Sequence, residues 1–369
     1  MRILIATGLY TPDIGGPATY TRFLERVLPP RGFSLRVVSF SDVRHLPKII
    51  RHLAYVWKLL RAGWGVDVIY ALDTVSVGMP ATIVSIILGK SLYVRVPGDY
   101  AWEQGQQRFG VRENLDEYLH TKKRPLPVRI LAWLQYRVAR RAQKIIVPSE
   151  YMKRVVAGWG IDGEKITRVY SALKVIAVPA SREALRSQLG YTDFVIVTAA
   201  RLVPWKGVAA LIDAVAQLRS DGQAVSLSII GDGTLRDALE AHAEKKGVRA
   251  QVRFYGTLER RVLGEHLKAA DAFVLNTSYE GLSHQLLEVM HIGTPIITTP
   301  VGGNVELITH DHEGLLVSYN DTLKLVDALL TLIREPHTRE RLVAEARARV
   351  ELFHEDRVVE DFVRVVHTG

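Results

Sequence analysis

The chain is predicted to fold as two doubly wound α/β units, each a parallel sheet covered by helices on both faces. Its 369 residues exceed one ordinary core and suit two domains of roughly 150–200 residues. Short, continuous apolar runs rich in β-branched residues alternate with helical stretches from end to end. Strands that are apolar on both faces, joined by helical crossovers, indicate parallel sheets. The rhythm breaks once, between about 172 and 192, where ALKVIAVPASREALRSQLGY precedes the strand at Phe194.

In the first half the strand runs are ILIATG, LRVVSF, DVIYAL, SLYVRVP and KIIVPS. In the second they are FVIVTAA, VSLSIIG, VRFYG, AFVLN, PIITT and GLLVS. These give an N-terminal Rossmann-like domain over 1–180 and a C-terminal one over 181–369. The closing segment HEDRVVEDFVRVV has the helical period and can pack back on the first domain. In open parallel sheets ligands bind beyond the carboxyl ends of the strands, so chemistry is expected in the strand-to-helix loops.

Charged residues at 24% and hydrophobic residues at 48% fit a globular protein and exclude a disordered one. There is no cysteine, hence neither a disulfide framework nor a thiolate metal site. The start, MRILIATGLY, reads as a short strand and turn rather than a secretory leader. Met79 to Leu88 is the longest apolar stretch, far below the roughly 20 residues of a membrane span. The expected location is therefore cytoplasmic, or peripheral at the inner face of the cell membrane. Residues 1–190 hold 29 Lys+Arg against 14 Asp+Glu, whereas 191–369 hold 19 against 25. A basic first half points to an anionic partner: a phosphorylated substrate, a membrane or a nucleic acid.

Three loops carry candidate chemistry. The first contains Gly15 and Gly16 before Pro17, a residue suited to the first helical position. Two glycines let backbone approach a ligand, and a helix N-terminus offers N–H groups to an anion. The dinucleotide fingerprint G-x-G-x-x-G is absent. The second loop places Arg201 and Lys206 beside a helix start near Val208, a fork and a point charge suited to a diphosphate. The third is Glu280-Gly281-Leu282-Ser283-His284 followed by Glu288 inside a helix, roughly 12 Å further along. Carboxylates accept paired hydroxyl hydrogen bonds, so one can hold a hexose and the other a ribose. Amides of Leu282, Ser283 and His284 then face the phosphates.

The early glycine pair, Arg-x4-Lys, Glu-x7-Glu and the trailing Val301-Gly-Gly-Asn-Val-Glu306 together resemble the family-4 retaining glycosyltransferases, over nearly the whole chain. The resemblance implies a GT-B fold, two facing domains with a cleft between them. It also implies a nucleoside-diphosphate sugar held mostly by the C-terminal domain and an acceptor held by the N-terminal one. Carried over by position, the Gly16 amide meets the donor phosphate, Arg201 and Lys206 hold the diphosphate, and Leu258 contacts the base through its backbone. Glu280 then contacts the transferred sugar and Glu288 the ribose. Many members place a histidine after the fourth strand of the first domain. Here RVPGDYAWE puts Asp99 there, as a sugar-facing residue, an acceptor ligand or a loop cap.

The resemblance implies front-face attack without a protein nucleophile, with Asp99, Arg201, Lys206 and Glu280 as the catalytic set. No D-x-D ends a strand, and His310-Asp-His-Glu313 reads as a polar loop, so neither metal nor cofactor is expected. The expected donor is a UDP-sugar ahead of a GDP-sugar. The acceptor is a saccharide or lipid-linked saccharide of cell-envelope glycan synthesis. A sugar-nucleotide epimerase on the same fold and a non-catalytic basic binder of membrane or nucleic acid are the alternatives. A full diphosphate-binding set weighs against the binder, and nucleic acid is not expected as a partner.

One further pattern lies between Leu46 and Trp64. Leu46, Ile49, Ile50, Leu53, Trp57, Leu60 and Trp64 fall on one helical face, with Lys48, Arg51, His52 and Lys58 opposite. That face either packs on the sheet or lies on anionic lipid, with Lys122-Lys-Arg124 and Arg137-x-x-Arg-Arg141 extending the same surface.

Overall fold

The computed structural model describes the chain apart from Pro12, Ile14, Gly15, Lys122, Thr368 and Gly369. It divides into two compact units, Met1–Tyr170 with Val358–Gly369, and Ser171–Arg357. The division falls ahead of the position at 180 expected from the sequence. The segment after Tyr170 is anchored to the second unit: Leu173 N donates to Phe353 O (2.8 Å) and Lys268 Nζ to Val178 O (2.7 Å).

In the first unit β1 (Arg2–Thr7), α1 (Gly16–Val27), β2 (Ser34–Ser39), α2 (Lys48–Gly63), β3 (Val68–Ala71) and α3 (Gly78–Ile87) come first. Then follow β4 (Ser91–Arg95), α4 (Tyr100–Arg108), α5 (Leu115–His120), α6 (Leu126–Arg141), β5 (Lys144–Val147), α7 (Glu150–Gly158) and β6 (Ile166–Arg168). The six strands pair in parallel in the order β2-β1-β3-β4-β5-β6. β1 and β3 to β5 are buried along nearly their whole length, as strands covered on both faces must be. Phe362, near the chain's end, stacks at 5.6 Å on Tyr70 of β3.

The second unit begins with α8 (Arg182–Leu189), β7 (Phe194–Ala199), α9 (Val208–Ser220), β8 (Val225–Ile230), α10 (Arg236–Lys245), β9 (Val252–Gly256) and α11 (Arg260–Ala269). It continues with β10 (Ala272–Leu275), α12 (His284–Ile292), β11 (Ile296–Thr298), α13 (Asn304–Leu307), β12 (Leu315–Leu316), α14 (Thr322–Arg334) and α15 (Pro336–Val350), and α16 (Glu355–His367) closes the chain. Its strands are parallel in the order β12-β11-β10-β7-β8-β9. Progression therefore reverses between β7 and β10, which pair through Ala272 with Ile196 and Phe273 with Val197. Such a switch point is where loops of an open α/β sheet part to admit a ligand.

α2 seats itself through Tyr55, Leu59 and Gly63, all buried, with Gly63 close to Leu88 and Leu4. The apolar face read from the sequence is not the packed one: Leu53, Trp57 and Trp64 are all exposed. A second stripe does the packing, which leaves the first uncovered.

Candidate functional site

The loops after β7 and β10 flank the switch point of the second sheet, and they carry Arg201, Lys206 and Glu280. A buried polar clamp joins them. Asn276 Nδ2 donates to Gly207 O (2.8 Å) and to Asn320 Oδ1 (2.9 Å), while its Oδ1 accepts from Asn320 N (3.1 Å). Thr277 Oγ1 donates to Trp205 O (3.0 Å), which also accepts from Ser278 N (2.9 Å). Tyr319 OH adds a bond to Pro204 O (2.8 Å). Gly207 has φ +49°, and a Cβ there would overlap Asn276 and Asn320, so only glycine lets the loops come this close. Within this frame the Lys206 ammonium pairs with the Glu280 carboxylate, both largely shielded from solvent. Arg201 remains exposed, its guanidinium 5.9 Å from the ring of Trp205.

Glu280 is fixed from behind by the trailing glycine pair. Gly303 N donates to Glu280 O (2.9 Å), and Gly302, at φ +55°, lies so close to that carbonyl that any Cβ would overlap it. Asn304, fully buried, ties the same turn to Thr298 and Thr299. Gly281 and Leu282 lead into α12, which Ser283 caps by accepting from Leu286 N (3.2 Å). His284 is the first residue of that helix, and Glu288 stands in its middle, where it binds Arg260 Nη2 at 2.5 Å. Arg260 also donates to Lys174 O (2.6 Å). Burial pushes the Glu288 carboxyl up from 4.5 to about 6, the charge of Arg260 only partly opposing it. Burial likewise lowers Arg260. Both shifts favour the neutral forms, so desolvation outweighs the attraction within this pair.

The remaining candidates are placed as follows. Gly16 opens α1 and a Cβ on it would meet nothing within 4 Å, so packing does not demand the glycine; Gly15 lies outside the described residues. Leu258 is half-buried on the loop leading to α11, just before Arg260. Asp99 belongs to the first unit, is 1% exposed and caps α4 by accepting from Trp102 N (2.9 Å). Its other oxygen accepts from Trp159 Nε1 (3.0 Å), and burial raises its carboxyl pKa. Of the roles the sequence left open to Asp99, capping is the one with bonds in the structure. The His310–Glu313 run forms a polar loop: His310 accepts from Leu316 N, Asp311 pairs with Arg341, His312 with Glu345, and Glu313 accepts from Thr309 N.

Comparison with known proteins decides what this arrangement belongs to. The profile of the glycosyl transferase 4-like domain matches residues 6–172, and that of glycosyl transferases group 1 matches residues 181–349. The two profiles together span most of the chain, which belongs to the glycosyl transferases group 1 family with a glycosyl transferase 4-like domain ahead of it. Among its relatives is the lipopolysaccharide core biosynthesis glycosyltransferase LpsD of Rhizobium meliloti, 34% identical over 54% of this chain and 55% of that one. A GDP-mannose-dependent phosphatidylinositol monomannoside mannosyltransferase of Corynebacterium glutamicum is 35% identical over 47% of this chain and 48% of its own. The chain thus spans about half the length of these curated relatives. In fold it is similar to HepE of Anabaena, solved with UDP and glucose (TM-score 0.79, 19% identity, all of both chains). Sucrose-phosphate synthase of Thermosynechococcus elongatus is similar too (TM-score 0.81, 17% identity, 100% of this chain and 98% of that). The architecture is the GT-B fold of these enzymes.

Asn276, Thr277, Tyr319, Asn320 and Arg260 were not singled out in the sequence, and Asn304 stood there only as part of the trailing Val301–Glu306 motif. Only the asparagine that closes the AFVLN run carried a signal, a polar residue ending an apolar strand. Asn276→Ala removes one buried and two part-buried hydrogen bonds at once and should cost about 3 kcal/mol of unfolding free energy. Urea denaturation measures this, and a loss below about 1 kcal/mol would contradict the clamp. For Glu288 the folded-state value lies above the unfolded one. Its stabilising contribution is therefore complete below 4.5 and lost as pH rises through about 6. Against Glu288→Gln, the wild type should lose about 2 kcal/mol across that window, and a pH-independent difference would show Glu288 to be an ordinary carboxylate.

Proposed function

We propose that the enzyme transfers a sugar, with retention and without a metal, from a UDP-sugar to a saccharide or lipid-linked acceptor of cell-envelope glycan synthesis. The observation that carries this reading is the Lys206–Glu280 pair, held by the Asn276 clamp at the switch point of the second sheet. The two charges neutralise each other. A donor offers each a better partner: the diphosphate for Lys206 and Arg201, the sugar hydroxyls for Glu280. Glu288 and Arg260 then meet the ribose side of the donor. HepE is solved with UDP-glucose, which supports a UDP-sugar, while the Corynebacterium relative is named for GDP-mannose.

In the transfer step the bond from the anomeric carbon to the diphosphate oxygen breaks, and the acceptor oxygen bonds that carbon on the same face. The acceptor proton passes to the departing diphosphate, so no protein nucleophile is needed. Arg201 and Lys206 stabilise the negative charge that grows on the leaving group, an electrostatic contribution of the kind that dominates many enzymes.

Lys206→Ala and Glu280→Ala should each lower kcat by about 100-fold or more, while Glu288→Ala should chiefly raise the donor KM. All three should keep the fold, as circular dichroism would report. Near-wild-type turnover in both Lys206→Ala and Glu280→Ala would sink the assignment. The same assay, run with excess EDTA, should retain its activity with UDP-sugars ahead of GDP-sugars. Loss restored by a divalent ion would show that the two cations do not suffice for the diphosphate. A new sugar nucleotide formed from donor alone would mark an epimerase instead.

A further inference from the structure

We propose that the outer face of α2, α3 and α6 docks the enzyme on an anionic phospholipid surface. In the first unit α3 packs against both α2 and α6, so the three helices form one continuous layer. Their inner faces are filled by Tyr55 and Leu59, by Ala81 and Val84, and by Val128 and Val138, all buried. Their outer faces are apolar as well. Leu53, Trp57 and Trp64 on α2 and its end, Ile86 and Ile87 on α3, and Trp133 on α6 are each between 57% and 71% exposed. Single exposed apolar side chains need no explanation, but three adjacent helices carrying isoleucines, leucines and three tryptophans on one uncovered layer do.

The charge around this layer selects the occupant. None of the three helices carries an Asp or Glu, while α2 has Lys48, Arg51, Lys58 and Arg61 and α6 has Arg129, Arg137, Arg140 and Arg141. Arg61 and all four arginines of α6 are exposed, whereas Lys58 is paired with Asp42 at 3.0 Å. The Arg137 guanidinium lies 5.5 Å from the Trp133 ring, so cation and indole stand side by side at the surface. An acid-free layer with apolar centre, tryptophans and an arginine fringe matches a bilayer interface, where indoles sit at headgroup depth and arginines meet phosphates. Among the described residues no helix is long and apolar enough to cross a membrane, so contact is made by lying on the surface. This docking does not depend on the donor assignment.

The test uses the full chain and vesicles of phosphatidylcholine, with or without phosphatidylglycerol, at low and high salt. Co-sedimentation should require the anionic lipid and weaken about tenfold or more at high salt, as screened basic contacts do. Tryptophan emission should shift to the blue on binding. Trp57→Ser with Trp133→Ser, and separately Arg137→Glu with Arg140→Glu, should each reduce partitioning by about tenfold, with the melting temperature unchanged because all four side chains are exposed. Wild-type protein that stays in the supernatant with anionic vesicles at low salt would overturn the proposal. So would binding that either double variant leaves intact, or equal binding to neutral vesicles. Sedimentation equilibrium would expose the rival occupant: a stable dimer abolished by the tryptophan double variant assigns the face to a second copy of the chain and overturns lipid docking.

Discussion

A parallel sheet sends every strand's carboxyl end to one edge, and where the strand order reverses, two neighbouring loops must turn away from each other. In the second unit that happens between β7 and β10. The candidate donor site is built around the need to hold those two loops in register once the ladder has ended. Asn276 does so with backbone-like hydrogen bonds from a side chain, and Gly207 and Gly302 remove the Cβ atoms that would keep the segments apart. Lys206 and Glu280 thereby stand on two braced loops, within reach of each other.

Desolvation sets the electrostatics of the site. Taking a carboxylate out of water costs several kcal/mol, and the attraction of a neighbouring cation recovers only part of it. Glu288, pushed up to about 6 despite the touch of Arg260, shows which effect wins in α12. A nucleotide that brings hydroxyl donors to Glu288 stabilises its ionised form, so binding energy and the protonation of this residue are linked. The fold holds an unfavourable charge where a ligand can relieve it.

Most of the architecture was legible because fully buried strands are unbroken apolar runs. Eleven such runs were read and became strands; β6, Ile166–Arg168, was passed over because its three residues include Thr167 and Arg168 and give no run to see. The loops bearing Arg201, Lys206 and Glu280 were legible from charge at strand ends, and Glu288 from its spacing into the helix that follows. Asn276 and Asn320 were not, because a structural asparagine looks like any loop residue until its partners, distant in sequence, are known. The same limit hid Arg260, whose partner Glu288 lies 28 positions on. The outer stripe of α2 was visible as a pattern, but periodicity alone cannot say which of two apolar stripes a helix buries; Tyr55 and Leu59 answer that only in three dimensions.

The proposed donor site centres on the Lys206–Glu280 pair. A crystal structure of the protein with UDP and with a non-transferable UDP-sugar tests this most directly. The diphosphate should lie against Arg201 and Lys206, with the Lys206–Glu280 pair broken, Glu280 on the sugar and Glu288 on the ribose hydroxyls. A nucleotide bound elsewhere, or bound here with that pair intact, would contradict it.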